Sequence, residues 1–157
     1  MKRSPGPRSL SGLILIAYAI IGVLYAALTP PWQVPDEPAH YNYIRALAEG
    51  HGLPVIEPGD YDQAYLSRLT AEKFPPELSI EPLEYEDHQP PLYYLLATPV
   101  YRLFNGAILP LRLISVGWGL LLLAVACETV RSIFPQRPAL ALMTTAFIAF
   151  IPQHVAM

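Results

Sequence analysis

Asp36, Glu37 and His40 fall within five positions, in the stretch PDEPAHYNYIRALAEG that starts at Pro35. A carboxylate that stays ionised can take up the proton of a hydroxyl group as that hydroxyl attacks an electrophile. Asp36 is the leading candidate for such a base. Glu37 lies beside it, and His40 follows one turn later on the same side of a helix. A second polar group, His88 and Gln89, stands before the rigid Pro90–Pro91 pair in EYEDHQPPLYYLL. Asp36, His40 and His88 also have the residue types of a metal site. Their spacing is generic, so no cofactor is expected and a divalent metal is the lesser reading.

Each of these residues has a plainer role to compete with. Asp36 can be a helix N-cap, worth about 1 kcal/mol. His88 and Gln89 can be a polar turn ahead of an aromatic membrane anchor. Asp36 to Glu49 carries the marks of a helix: an N-cap residue, Pro38 in the tolerant first turn, and Gly50 to stop it. Glu37, Tyr41, Ile44 and Ala48 share one face, with His40, Tyr43 and Leu47 beside it. Such a helix suits the plane of a bilayer surface.

The elements that must position these residues are apolar. Hydrophobic residues make up 53% of the 157 positions, and they come in blocks, which points to a membrane protein. Residues 10–28 carry no charge and are long enough for a ~30 Å hydrocarbon core. Lys2, Arg3 and Arg8 precede them, so residues 1–9 are expected in the cytoplasm. A cleaved signal peptide, suggested by Ala26 and Ala27, is the rival, but the run is longer than a ~7–15-residue signal core. A second span is expected over about 111–133 and a third over 139–157, with a cytoplasmic turn at 134–138 flanked by Arg131 and Arg137.

Residues 91–104 are apolar and aromatic, but short and broken by Pro99, which fits an interfacial helix better than a crossing. The fold expected is therefore all-α and membrane-integral. It has about three transmembrane helices and one large extracytoplasmic loop, 29–110, that contains juxtamembrane helices near 36–49 and 91–104. Twelve of the thirteen acidic residues and about a dozen of the 18 prolines lie in that loop. No basic stripe of the kind that grips nucleic acid is present. The single cysteine, Cys127, lies in an apolar run and reads as a packing residue. The chain ends in an apolar segment with no polar tail, which reads as the N-terminal portion of a longer polytopic protein.

In order and spacing, PDEPAHYNYIRALAEG, HQPPLYYLLATPVYRLF and LRLISVGWGLLLL after one N-terminal span resemble the start of GT-C-type membrane glycosyltransferases. The nearest group is glycosyltransferase family 39, with the protein mannosyltransferases and the aminoarabinose transferases of lipid A. The resemblance runs from Leu10 onward. It implies that Asp36 is the catalytic base and that Glu37 is the second member of an Asp-Glu pair. The implied donor is a sugar on a polyprenyl phosphate. In the family, a Lys or His ahead of the interfacial helix helps hold the lipid phosphate. Here His88 takes that place, and Gln89 is a departure where Lys is the pattern. His40, Arg102 and Arg112 complete the substrate-binding candidates.

The reading is a cell-membrane, multi-pass glycosyltransferase that moves a sugar from a polyprenyl phosphate to an extracytoplasmic acceptor with inversion. Its partners are the donor, the acceptor and membrane lipid. The alternative is a non-catalytic polytopic protein whose outer loop binds a partner or a glycan. A transporter fits less well, because the first two spans lack the mid-membrane polar groups that transport sites use.

Overall fold

The computed structural model describes residues 6–151, and all its regular structure is helical: α1 (Pro7–Leu28), α2 (Glu37–Glu49), α3 (Gln63–Ala71), α4 (Leu92–Leu103), α5 (Ile108–Ile133) and α6 (Pro138–Ala149). Lys2, Arg3 and the last part of the third apolar block, 152–157, lie outside the described residues, as does the side chain of Arg8. The chain divides into two compact units, one of residues 1–28 with 112–157 and one of residues 29–111.

Among the described residues of the first unit, α1 and α5 are the two helices long and apolar enough to cross a membrane. Their side chains are mostly turned outward, as on a helix that meets lipid: Leu13, Ile16, Ile20 and Leu24 of α1 and Leu121, Leu122 and Val125 of α5 are exposed. The two helices run antiparallel. Arg112, at the start of α5, donates Nη1 to the Ala26 carbonyl near the end of α1 at 2.9 Å. Arg131, near the end of α5, donates Nη2 to Ser11 Oγ near the start of α1 at 3.0 Å. About 28 Å of helix separates these two arginines at ~1.5 Å per residue.

Close approach between α1 and α5 depends on small residues. A Cβ at Gly119 would collide with the Tyr18 hydroxyl, and one at Gly22 would sit 3.0 Å from Val116 Cγ1. Tyr18, Val116, Leu123 and Ala149 form the buried centre of this unit, so α6 joins the same core. With 12 described residues, α6 is too short to cross by itself. The remainder of the expected third span, 152–157, lies outside the described residues.

The second unit is built on α2 and α4, which lie side by side in the same sense. Tyr43 and Tyr94 stack with centroids 3.8 Å apart and planes 8° from parallel. Tyr41 meets Tyr101 at 5.4 Å, and Arg102 donates to the Ala48 carbonyl at 2.8 Å. Helix α2 starts and ends where its Pro38 and Gly50 predict, and Gly50 adopts φ 88° to close it. Helix α4 matches the expected interfacial segment to within a residue at each end. It keeps Pro99 in its interior and leaves Leu92, Leu95, Leu96 and Leu103 exposed.

Helix α3 is an addition to the sequence-based reading. Its nine residues carry little periodic signal, and tertiary contacts sustain it. Leu69 is fully buried with Ala39 of α2 and Leu83, among Tyr65, Phe74, Ile80 and Tyr85. The Tyr65 hydroxyl donates to the Ser79 carbonyl at 2.6 Å. Asn42 completes the frame. Its Nδ2 donates to the carbonyls of Ile80 at 2.7 Å and Leu83 at 2.9 Å, which pins the 80–83 segment to α2.

Candidate functional site

The two polar stretches meet at the first turn of α2. Asp36 occupies the N-cap position but has φ 59° and ψ 0°, and its side chain makes no capping hydrogen bond. Asp and Asn are the non-glycine residues that enter this left-handed region at least cost. In that conformation the carboxylate is exposed and turned to another partner, the Tyr85 hydroxyl, which donates to Oδ1 at 3.0 Å. Burial is the main influence that raises the Tyr85 pKa, and the neighbouring Asp36 carboxylate adds to it. The phenol therefore keeps its proton and remains the donor.

Tyr85 also links Asp36 to His88, because its backbone carbonyl lies 3.0 Å from His88 Nδ1. A carbonyl can only accept, so His88 carries a proton on Nδ1. Its Nε2 lies 3.4 Å from Gln89 Nε2, and Gln89 also donates to Glu86 Oε2 at 2.8 Å. Gln89 thus arranges the turn around His88.

His40 Nδ1 lies 2.8 Å from the Tyr94 hydroxyl. Burial raises the Tyr94 pKa, which favours this phenol as the donor and leaves the His40 proton on Nε2. Burial is also the largest influence on His40 and lowers its pKa, against the opposing pull of Glu86 and Asp36. His88 adds a smaller lowering. Asp36, Glu86 and His88 thus all act electrostatically on His40, although 84–89 is far from 36–40 in the chain.

Glu37 has a structural task. Its Oε2 accepts from the Trp32 N–H at 2.7 Å, which holds the approach to α2 where Trp32 itself has φ 67°. Arg102 also serves the backbone, because Nε and Nη2 both donate to the Ala48 carbonyl at the far end of α2. Arg112 belongs to the other unit, where it donates to Ala26. A cation near the C-terminus of a helix satisfies its last carbonyls and complements its dipole.

The structure thus brings Asp36, His40, His88 and Gln89 into one region and engages Glu37, Arg102 and Arg112 with the backbone. It adds Tyr85, Glu86 and Tyr94, which sequence reasoning passed over. Tyr85 and Glu86 stand inside the quoted stretch EYEDHQPPLYYLL, but a tyrosine among acids reads there as an interface residue.

Among the described residues, no three His, Cys, Asp or Glu side chains are arranged to hold a metal ion, Asp36, His40 and His88 included. A polar cavity of about 240 Å³ lies on other walls of the unit, and Asp36, His40 and His88 do not line it. Asp87, one of its lining residues, has its carboxyl pushed up to about 6 by burial and then by Glu84 and Asp60. No family model matches this chain, and no curated protein or solved structure matches it significantly.

Proposed function

We propose that the chain is part of a membrane glycosyltransferase in which Asp36 is the general base for attack of an extracytoplasmic hydroxyl on a polyprenyl-phosphate sugar. The observation that carries this reading is the state of Asp36. The carboxylate is exposed, does no capping, and is oriented by the Tyr85 phenol. A carboxylate used only as a cap would point at the backbone N–H groups of its own helix.

In the topology proposed, α1 and α5 are spans, 29–110 is outside the cytoplasm, and the N-terminus and the turn between α5 and α6 are inside. A third span starts at α6. The separation of about 28 Å between Arg112 and Arg131 supports this arrangement, since a hydrocarbon core is ~30 Å thick and arginines settle at its edges. Inversion needs one base and no covalent intermediate, and a single oriented carboxylate meets that demand. The departing phosphate needs cationic stabilisation. His88 is the nearby candidate only if its Nε2, which faces the Gln89 amide here, also carries a proton in the complex.

The test is Asp36→Asn in the full-length protein. Asn tolerates the left-handed conformation and still accepts the Tyr85 hydrogen bond, so membrane insertion and folding stay normal. Transfer from a polyprenyl-phosphate sugar, measured in membranes, is expected to fall by ~10²–10⁴-fold. Turnover close to wild type would end Asp36's role as the base. One observation favours the second reading, a non-catalytic glycan- or partner-binding loop. Both arginines among the substrate-binding candidates, Arg102 and Arg112, are bound to helix carbonyls.

A further inference from the structure

Asp36 does not hold its left-handed conformation alone. Trp32, four residues earlier, is also left-handed at φ 67°. That region disfavours residues with a Cβ, and a bulky aromatic residue there is a clear outlier. Aspartate enters it more cheaply, but just before a helix it has a competing use. Asp62 shows that use, with extended backbone and a carboxylate that accepts a first-turn N–H. Two left-handed residues within five positions persist only where their surroundings fix them, and such segments gather at functional sites.

The fixing contact is the Glu37 carboxylate. Oε2 accepts from the Trp32 N–H at 2.7 Å, which closes residues 32–37 into a short loop with Asp36 next to the closure. The rest of the loop has little freedom. Pro35 has a ring-fixed φ, and the Glu37 N–H donates to the Val34 carbonyl at 3.3 Å. The Asp36 carbonyl is committed to the helix, where it accepts from the His40 N–H at 3.1 Å. The Trp32 ring meets Tyr41 at 4.9 Å and 74°, and the Tyr41 hydroxyl donates to the Gly106 carbonyl at 3.0 Å.

We propose that Glu37 is a positioning residue: by clamping the Trp32 N–H, it holds Asp36 out of the capping conformation and turned to the Tyr85 phenol. The inference rests on the reading of Asp36 as the general base. Without the clamp, Trp32 relaxes to negative φ and the segment up to Asp36 is free to extend. The carboxylate then turns to the N–H groups of α2, as Asp62 does on α3, and is no longer presented to an acceptor. Capping and proton uptake are thus alternative states of Asp36, and Glu37 selects between them. The clamp requires only an oxygen that accepts, so an amide oxygen serves as well as a carboxylate. Glu37 acts through Asp36 and moves no proton of its own.

The experiment compares Glu37→Ala, Glu37→Gln and Asp36→Asn in the full-length protein, by turnover in membranes and by amide hydrogen exchange over residues 32–37. Glu37→Ala is expected to lose about 10–10²-fold in kcat, with KM for the polyprenyl-phosphate sugar near wild type. A loss of that size follows a small misplacement of a reacting group. Exchange across 32–37 should accelerate at least ~10-fold, because the Trp32 N–H is released. Melting should stay near wild type, since Asp36 gains a cap as the clamp is lost. Glu37→Gln keeps an acceptor for that N–H and should restore most of the turnover and the slow exchange. A Gln variant as inactive as the Ala variant would overturn the proposal and assign the charge of Glu37 to the reaction. Wild-type turnover or exchange in Glu37→Ala, beside an inactive Asp36→Asn, would remove the positioning role and leave the base in place. Wild-type turnover by Asp36→Asn would end the base, and the positioning role with it.

Discussion

Helices α2 and α3 both follow an aspartate, and the two aspartates are used in opposite ways. Asp62 lies in extended conformation at φ −112°, and its side chain accepts from the Tyr65 N–H at 2.9 Å. It is an N-cap in full. Asp36 lies at φ 59°, leaves the first-turn N–H groups without its side chain, and receives the Tyr85 phenol instead. One folded unit thus contains both the structural use of an N-terminal aspartate and a departure from it. The difference shows that position before a helix does not make an aspartate a cap. The backbone conformation decides where the carboxylate points.

That contrast can be broken in activity first. Asp36→Asn is expected to lose ~10²–10⁴-fold in sugar transfer, whereas Asp62→Asn keeps both its cap and full turnover. Equal activities for the two variants would erase the distinction. Tyr85→Phe comes next. It removes the exposed hydrogen bond that orients the Asp36 carboxylate. Transfer should fall roughly tenfold or somewhat more, with expression and melting near wild type because the ring still packs. Unchanged turnover would show that Asp36 does not need its phenol.

Asp62→Ala tests the other arm of the comparison. Loss of the cap should cost about 1 kcal/mol of stability in the second unit. Melting followed by Trp32 fluorescence in a Trp118→Phe background would read it. Asp62→Asn should restore the wild-type value.

The smallest effect expected is a pH dependence at the start of α2. Burial lowers the His40 pKa, so the folded unit favours the neutral imidazole. Its contribution is complete above the ordinary histidine value of about 6.5 and is lost as pH falls through the lower folded value. Asp87, with a raised pKa, pulls the opposite way below pH ~6. The informative quantity is therefore the difference between wild type and His40→Gln. Melting temperatures from pH 8 to 5 should decline less in the variant. Parallel curves would assign His40 no part in the acid response.

Much of the architecture was readable along the chain. The blocks that became α1 and α5 announce themselves by length and lack of charge. The limits of α2 are written in Pro38 and Gly50. Helix α3 was not readable, because nine mixed residues hold together through Leu69 and its partners rather than through periodicity. At the site, Asp36, His40 and His88 could be picked out by type. The tasks of Glu37, Arg102 and Arg112 could not, since a free cation and one bound to helix carbonyls look alike in sequence.

Sequence alone therefore determined the helical, apolar class of the protein and the segments where its polar chemistry is concentrated. Those properties depend on neighbours within a turn or on the summed hydropathy of a run. Only the tertiary structure decided that Tyr85 reaches Asp36 and that Glu57, Asp60, Glu84 and Asp87 line one cavity. Such groups come from stretches up to 49 residues apart in the chain. They meet because buried side chains such as Ala39, Leu69 and Leu83 pack their segments together, and no local pattern records that packing.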